Sequence, residues 1–144
     1  MVVSTGWDLL ERRLPEWPRF LRPGDLDFDQ HLVAEYLAAV DSLGAEGAAV
    51  AWATSPCVGP ERAAGGSVFE QSRIDAQNRV LRDQVAADDR VTLIDLDAVA
   101  CPGGRFVAAV DDIAIFRPDG VHFSDPGARW VADRIGPVLI ALAR

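Results

Sequence analysis

Two short apolar runs constrain this chain most. "AAVAWATS" (48–55) is a continuous apolar run that finishes in polar residues, and "RVTLIDL" (90–96) is uncharged through its centre. A continuous apolar run of that length suits a strand covered on both faces. Between them, residues 70–87 read as a helix with Ile74, Leu81 and Val85 inward. Ahead of them, Leu32, Tyr36, Val40 and Leu43 share one stripe of a helix over 29–46, which Asp27 or Asp29 could cap and Gly47 stops. Buried strands alternating with amphipathic helices predict right-handed crossovers and a parallel sheet. The expected class is α/β, a flavodoxin-like three-layer α/β/α arrangement.

The ends of the chain carry further expectations. "MVVSTGWDLL" starts a buried strand at residues 2–5 with no lead-in. This reads as a chain that joins its fold partway, lacking the first strands. A sheet edge left bare in that way invites self-association. Pro15, Pro18, Pro23 and Gly24 break the next stretch into a helical turn and a loop. A long loop is expected from Cys101 to Phe123, with an extended piece at 113–116. Asp125 is expected to cap the last helix, with Pro126 at its first position. Ala128, Val131, Ile135, Val138 and Leu142 form that helix's predicted apolar face, and Gly136–Pro137 should kink or split it. The 144 residues read as a single domain, without internal repeats.

Charge narrows the partners. The formal net charge is −8 and all 14 basic residues are arginines. So acidic a surface repels phosphate backbones, so no nucleic-acid partner is expected. No apolar run has the length of a transmembrane segment, and no signal-peptide pattern opens the chain. Zinc-spaced Cys/His clusters are absent, as is any Gly-Lys-Ser/Thr after Gly65–Gly66 or Gly103–Gly104. No metal and no cofactor are expected.

The chemistry-bearing stretch is "RPDGVHFSDPGARW", residues 117–130. Asp119 stands three positions before His122, and Gly120 permits a tight turn between them. A carboxylate so placed can fix an imidazole's tautomer while the imidazole takes a proton from a hydroxyl. In parallel sheets, sites collect at the C-terminal strand ends, where this loop falls. The plainer reading is a turn aspartate and a surface histidine leading into a helix. His31, in the first turn of an amphipathic helix, reads as a surface residue.

"PDGVHFSDPGARWVADRI" resembles the C-terminal block of the SGNH (GDSL-like) hydrolases, which carry an Asp-x-x-His pair before their last helix. "VVSTGWDLLERRL", "VAWATSPCVGP" and "RVLRDQVAADDRVTLIDLDAVACPGGRF" extend the resemblance to the SGNH domain of membrane acyltransferases. The resemblance implies that His122 is the general base and Asp119 its orienter. The family's Gly-Asp-Ser nucleophile block has no counterpart: the sole Gly-Asp, Gly24–Asp25, is followed by Leu26. The block that supplies an oxyanion-hole glycine is also missing. The Gly-x-Asn-Asp block corresponds to Thr5-Gly6-Trp7-Asp8, with Gly6 and Trp7 as doubtful oxyanion or pocket residues; a buried anchor is the plainer role for Trp7. Among Ser4, Ser42, Ser55, Ser67, Ser72 and Ser124, Ser55 ends a predicted strand at the correct edge and Ser124 neighbours His122. A turn role for Ser55 and a helix cap for Ser124 explain them without catalysis.

Cys57 and Cys101 follow neighbouring predicted strands, so a disulfide is conceivable, as are two free thiols. The resembled domains face the cell exterior, where disulfides persist; apart from that resemblance the chain reads as cytoplasmic. Two functions follow. One is the C-terminal portion of a serine esterase or O-acyltransferase acting on acyl esters, such as acylated glycans, with its nucleophile supplied from outside this sequence. The alternative is an inactive remnant that serves as a binding or interaction module.

Overall fold

The computed structural model describes residues 1–3, 7–63 and 69–143, with Trp7 described by its backbone only. Three parallel strands form one sheet in the order β1 (Val2–Val3), β2 (Val50–Ala53), β3 (Val91–Ile94). Helix α1 (Leu26–Gly44) links β1 to β2, and α2 (Gln71–Asp83) links β2 to β3. A short α3 (Leu96–Ala100) and the long α4 (Asp125–Leu142) complete the fold.

Strand alternation sorts the core into two layers. Val50 and Trp52 of β2 pack with Phe28, Leu32, Tyr36 and Val40 of α1 and with Val80 and Leu81 of α2. Ala51 and Ala53 turn the other way, with Ile94, onto Ile135, Leu139 and Leu142 of α4. All four β2 residues are buried, as a central strand sandwiched between helices requires. Small alanines face α4 on one side; Trp52, its ring centroid 4.5 Å from that of Tyr36 at a tilt of 42°, fills the other. This is the α/β/α layering that the strand–helix alternation predicts.

Several boundaries differ from the sequence reading. Helix α1 starts at Leu26, because Asp25 turns the chain: its carboxylate accepts from the Arg22 N–H and pairs with Arg19. The loop after β3 contains α3, which the sequence reading missed; Asp95 nucleates it by accepting from the Ala98 N–H. Residues 113–116 do not form a strand. Val110 and Ile113 exchange two backbone hydrogen bonds across a tight turn instead. Ser124, not Asp125, caps α4, accepting from the Gly127 N–H at 3.2 Å.

Helix α4 runs unbroken through Pro137. Its inward face is Gly127, Val131, Ile135, Leu139 and Leu142, whereas Ala128 and Val138 are exposed. Strand β1 is also less buried than its sequence suggests. Among the described residues it pairs with β2 alone, and Val2 is half exposed. His31 is not a plain surface residue: its ring sits edge-on to Trp17 at 5.5 Å and its Nε2 lies 3.3 Å from Glu35.

The C-terminal ends of β2 and β3 are joined by a polar lattice. The Thr54 hydroxyl donates to Asp95 and accepts from the Asp97 N–H. Arg82, reaching across from α2, donates to both carboxylates at 2.7–3.0 Å. Three elements are thereby fixed at the edge of the sheet where the functional loops emerge.

Candidate functional site

The loop from Phe116 to Ser124 is held on every side. The Ser124 N–H donates to the Phe116 carbonyl at 2.9 Å, and the Ser124 hydroxyl donates to the Ile115 carbonyl. Gly59, in the loop after β2, donates its N–H to the Gly120 carbonyl at 2.8 Å. Arg62 Nε reaches the Asp119 carbonyl at 3.2 Å. Gly120 adopts φ +77°, a left-handed conformation that suits glycine, and so reverses the chain between Asp119 and His122.

That turn brings the two predicted site residues together. Asp119 Oδ2 lies 2.7 Å from His122 Nδ1, while Oδ1 accepts from the backbone N–H groups of Val121 and His122 at 2.9 and 2.7 Å. The His122 side chain, then its own N–H and that of Val121, holds the Asp119 carboxyl well below its ordinary pKa. Ionised Asp119 selects the imidazole tautomer with its proton on Nδ1. Nε2 is left as a bare acceptor, with no protein partner among the described residues. His122 is 82% exposed, so this nitrogen stands at a rim.

The rim belongs to a cleft of about 310 Å³. His122, Ser55, Arg117 and apolar side chains including Leu9, Val58, Ile74 and Leu96 line it. Ser55 stands two residues past the end of β2, at the C-terminal strand edge. Its backbone is clamped by Asn78, which accepts from the Ser55 N–H and donates to the Ser55 carbonyl, both at 2.8 Å. Its hydroxyl lies 2.9 Å from Gln77 Oε1. Gln77 donates in turn to Tyr36, whose hydroxyl donates to Asp8. Burial, with the Asp8 charge beside it, pushes the Tyr36 phenol upward, so it stays neutral. Arg73 of α2 fixes Leu9 from below through a 3.0 Å bond to its carbonyl.

The other described serines stand apart from this cleft. Ser124 is a helix cap, Ser42 bonds back to the Ala38 carbonyl, and Ser72 is exposed on α2. Ser4, Ser67 and Gly6 lie outside the described residues, as does the side chain of Trp7.

Cys57 and Cys101 form a disulfide that ties the loop after β2 to the end of α3. The Cys57 N–H donates to Asp97 at 3.1 Å. Cys57, Asp97 and Cys101 place their ligand-type atoms within 4.8 Å of one another. Both sulfurs are spent in the disulfide, and the Arg117 guanidinium lies 3.8 and 4.0 Å from them. One carboxylate beside a cation does not suit a metal ion.

Sequence reasoning missed Arg117, Gln77 and Asn78. Arg117 gives no signal in a linear sequence. Gln77 and Asn78 do: they interrupt the inward stripe of Ile74, Leu81 and Val85, and polar residues at core positions of a helix call for buried partners.

A family model described as "Protein of unknown function (DUF459)" matches residues 14–137. The chain belongs to the DUF459 family. No curated protein matches it. The DUF459 match spans Ser55, both cysteines, Arg117, Asp119 and His122, and begins after Gly6 and Trp7. No helix among the described residues of this DUF459 chain is long and apolar enough to cross a membrane.

Proposed function

We propose that this DUF459 chain carries the base and its orienter for SGNH-type acyl transfer, acting on acyl esters whose attacking hydroxyl comes from outside the sequence. One observation carries the reading: the Asp119–His122 pair leaves Nε2 bare at the rim of an apolar cleft. In the proposed step, Nε2 takes the proton of an incoming hydroxyl as its oxygen attacks the ester carbonyl. The tetrahedral adduct then expels the leaving alkoxide, which receives that proton from the imidazolium. Asp119 stabilises the cation in between. An acylated glycan is a substrate that suits the resemblance, with the acyl group against the cleft's apolar wall.

The test supplies the hydroxyl in solution. p-Nitrophenyl acetate is incubated with the chain and increasing ethylene glycol. The expected outcome is acceptor-dependent phenolate release, lowered about 100-fold in His122→Ala, the usual scale for losing a positioned base. Equal rates in the two proteins would end the proposal. Without acceptor, wild type and His122→Ala should match. Acceptor-independent, His122-dependent turnover that is lost in Ser55→Ala would show a nucleophile within the chain; turnover that survives that substitution comes from water or the imidazole itself as the attacking group.

The alternative reading is a binding or interaction module without turnover. The outer edge of β1, without a strand partner among the described residues, and half-exposed Val2 support it, since a free strand edge can pair with a second copy. Sedimentation that shows a monodisperse monomer across concentration would exclude that association.

A further inference from the structure

We propose that the cleft takes a small apolar molecule bearing one carboxylate, and that Arg117 holds the carboxylate. The proposal rests on the acyl-transfer reading for the chemistry that follows binding; the binding itself rests on Arg117.

Arg117 is 4% exposed, and it has no carboxylate at ion-pair distance among the described residues. The other buried arginine, Arg73, shows the usual arrangement, with Glu11 at 2.8 Å and Glu70 at 3.6 Å. Arg117 instead lies against two aromatic faces, Phe106 at 5.3 Å and Phe123 at 5.4 Å. Its Nε donates to the Val121 carbonyl, and one terminal nitrogen faces the disulfide sulfurs, which are weak acceptors. The second terminal nitrogen has no acceptor among the described residues. A guanidinium cannot shed its charge, and a buried charge without a contacting counter-charge is costly. Asp119 and Asp97 act on Arg117 only from beyond ion-pair distance, and a ligand carboxylate provides the absent acceptor and a counter-charge in contact.

Arg117 forms part of two depressions, and their chemistry separates them. One, of about 270 Å³, also contains Glu61, Asp119 and Arg62, so its two carboxylates already balance its two guanidinium groups and leave no net attraction for an anion. The other is the cleft of His122 and Ser55, where Val58, Ile74, Leu96 and Phe123 offer apolar contact and no carboxylate lines the wall among the described residues. An anion with a short hydrocarbon body suits the second. Both a free acid and an ester with a carboxylate elsewhere in the molecule have this chemistry.

Binding to the full chain is followed by amide chemical-shift titration near neutral pH, with hexanoate and its neutral counterpart hexanamide. Hexanoate should bind about tenfold or more tightly than hexanamide, the scale of a charge-assisted hydrogen bond over a neutral one. Arg117→Lys should keep part of that preference, Arg117→Met should abolish it, and His122→Ala should retain it. Equal affinity for the two ligands in the wild-type chain overturns the proposal. So does loss of the preference in His122→Ala, because the imidazolium would then be the anchor. If Arg117→Met loses its dispersed amide spectrum, the wild-type comparison and His122→Ala still decide. To separate the two readings, monomethyl succinate is offered as a carboxylate-bearing ester and ethyl butyrate as a neutral one. Retained hexanoate preference without His122-dependent acyl transfer sinks the catalytic reading and leaves the carboxylate site standing. His122-dependent transfer that favours the neutral ester sinks the carboxylate site alone.

Discussion

Gly59 and Gly120 meet backbone to backbone: the Gly59 N–H donates to the Gly120 carbonyl at 2.8 Å, and a Cβ on Gly120 would stand 3.1 Å from the Gly59 Cα. Neither loop can retreat easily, since Arg62 and the disulfide hold them nearby. Gly120→Ala adds a methyl at φ +77° into this contact. It should destabilise the chain by about 1–3 kcal/mol in urea unfolding, the range for strained backbone positions. It should also displace the His122 ring resonances. An unchanged midpoint and unchanged ring resonances would mean that this contact does not shape the loop.

The disulfide spans a sequence separation of 44 residues. Closing a loop of that length in the unfolded chain corresponds to about 4 kcal/mol in the chain-entropy description. Cys57→Ser with Cys101→Ser should lower the unfolding free energy by about 2–4 kcal/mol. Dithiothreitol should do the same to the wild-type chain and leave the double variant unaffected. A shared midpoint with and without reductant contradicts the bond.

What the sequence made legible follows from how local each signal is. The stripe Leu32, Tyr36 and Val40 and the runs around Val50–Ala53 and Val91–Ile94 announce their elements, because burial there follows one period. The Asp119–His122 contact is legible for the same reason: three residues and one glycine determine it. Helix α3 was missed because five residues from Leu96 to Ala100 have too little length for a period, and the Asp95 side chain starts them. The 113–116 stretch looks extended by its β-branched residues, yet the Val110–Ile113 exchange bends it back. Arg117 owes its place to the disulfide, Phe106 and Phe123, groups 6 to 60 residues away in sequence.

Acid should unfold this chain through identifiable carboxylates. Burial pushes Asp95 up, but the Arg82 guanidinium, the Ala98 N–H and the Thr54 hydroxyl together bring it below its ordinary 3.8. Arg90 holds Asp88 down to about 2, and the His122 contact holds Asp119 lower still. Folded-state values below the unfolded ones mean stability that is complete above the ordinary carboxylate range and lost as pH falls through the folded values. The unfolding free energy should therefore decline from about pH 4 downward. Asp95→Asn should flatten part of that decline. A profile insensitive to this substitution would remove Asp95 from the account.

The most direct test of the central claim reads the two nitrogens of His122. In ¹⁵N-labelled protein at a pH where the ring is neutral, Nδ1 should carry the proton and Nε2 should show the shift of a bare acceptor. Asp119→Asn should destroy that preference while the fold persists. A proton found on Nε2, or a tautomer unaffected by Asp119→Asn, would contradict the account.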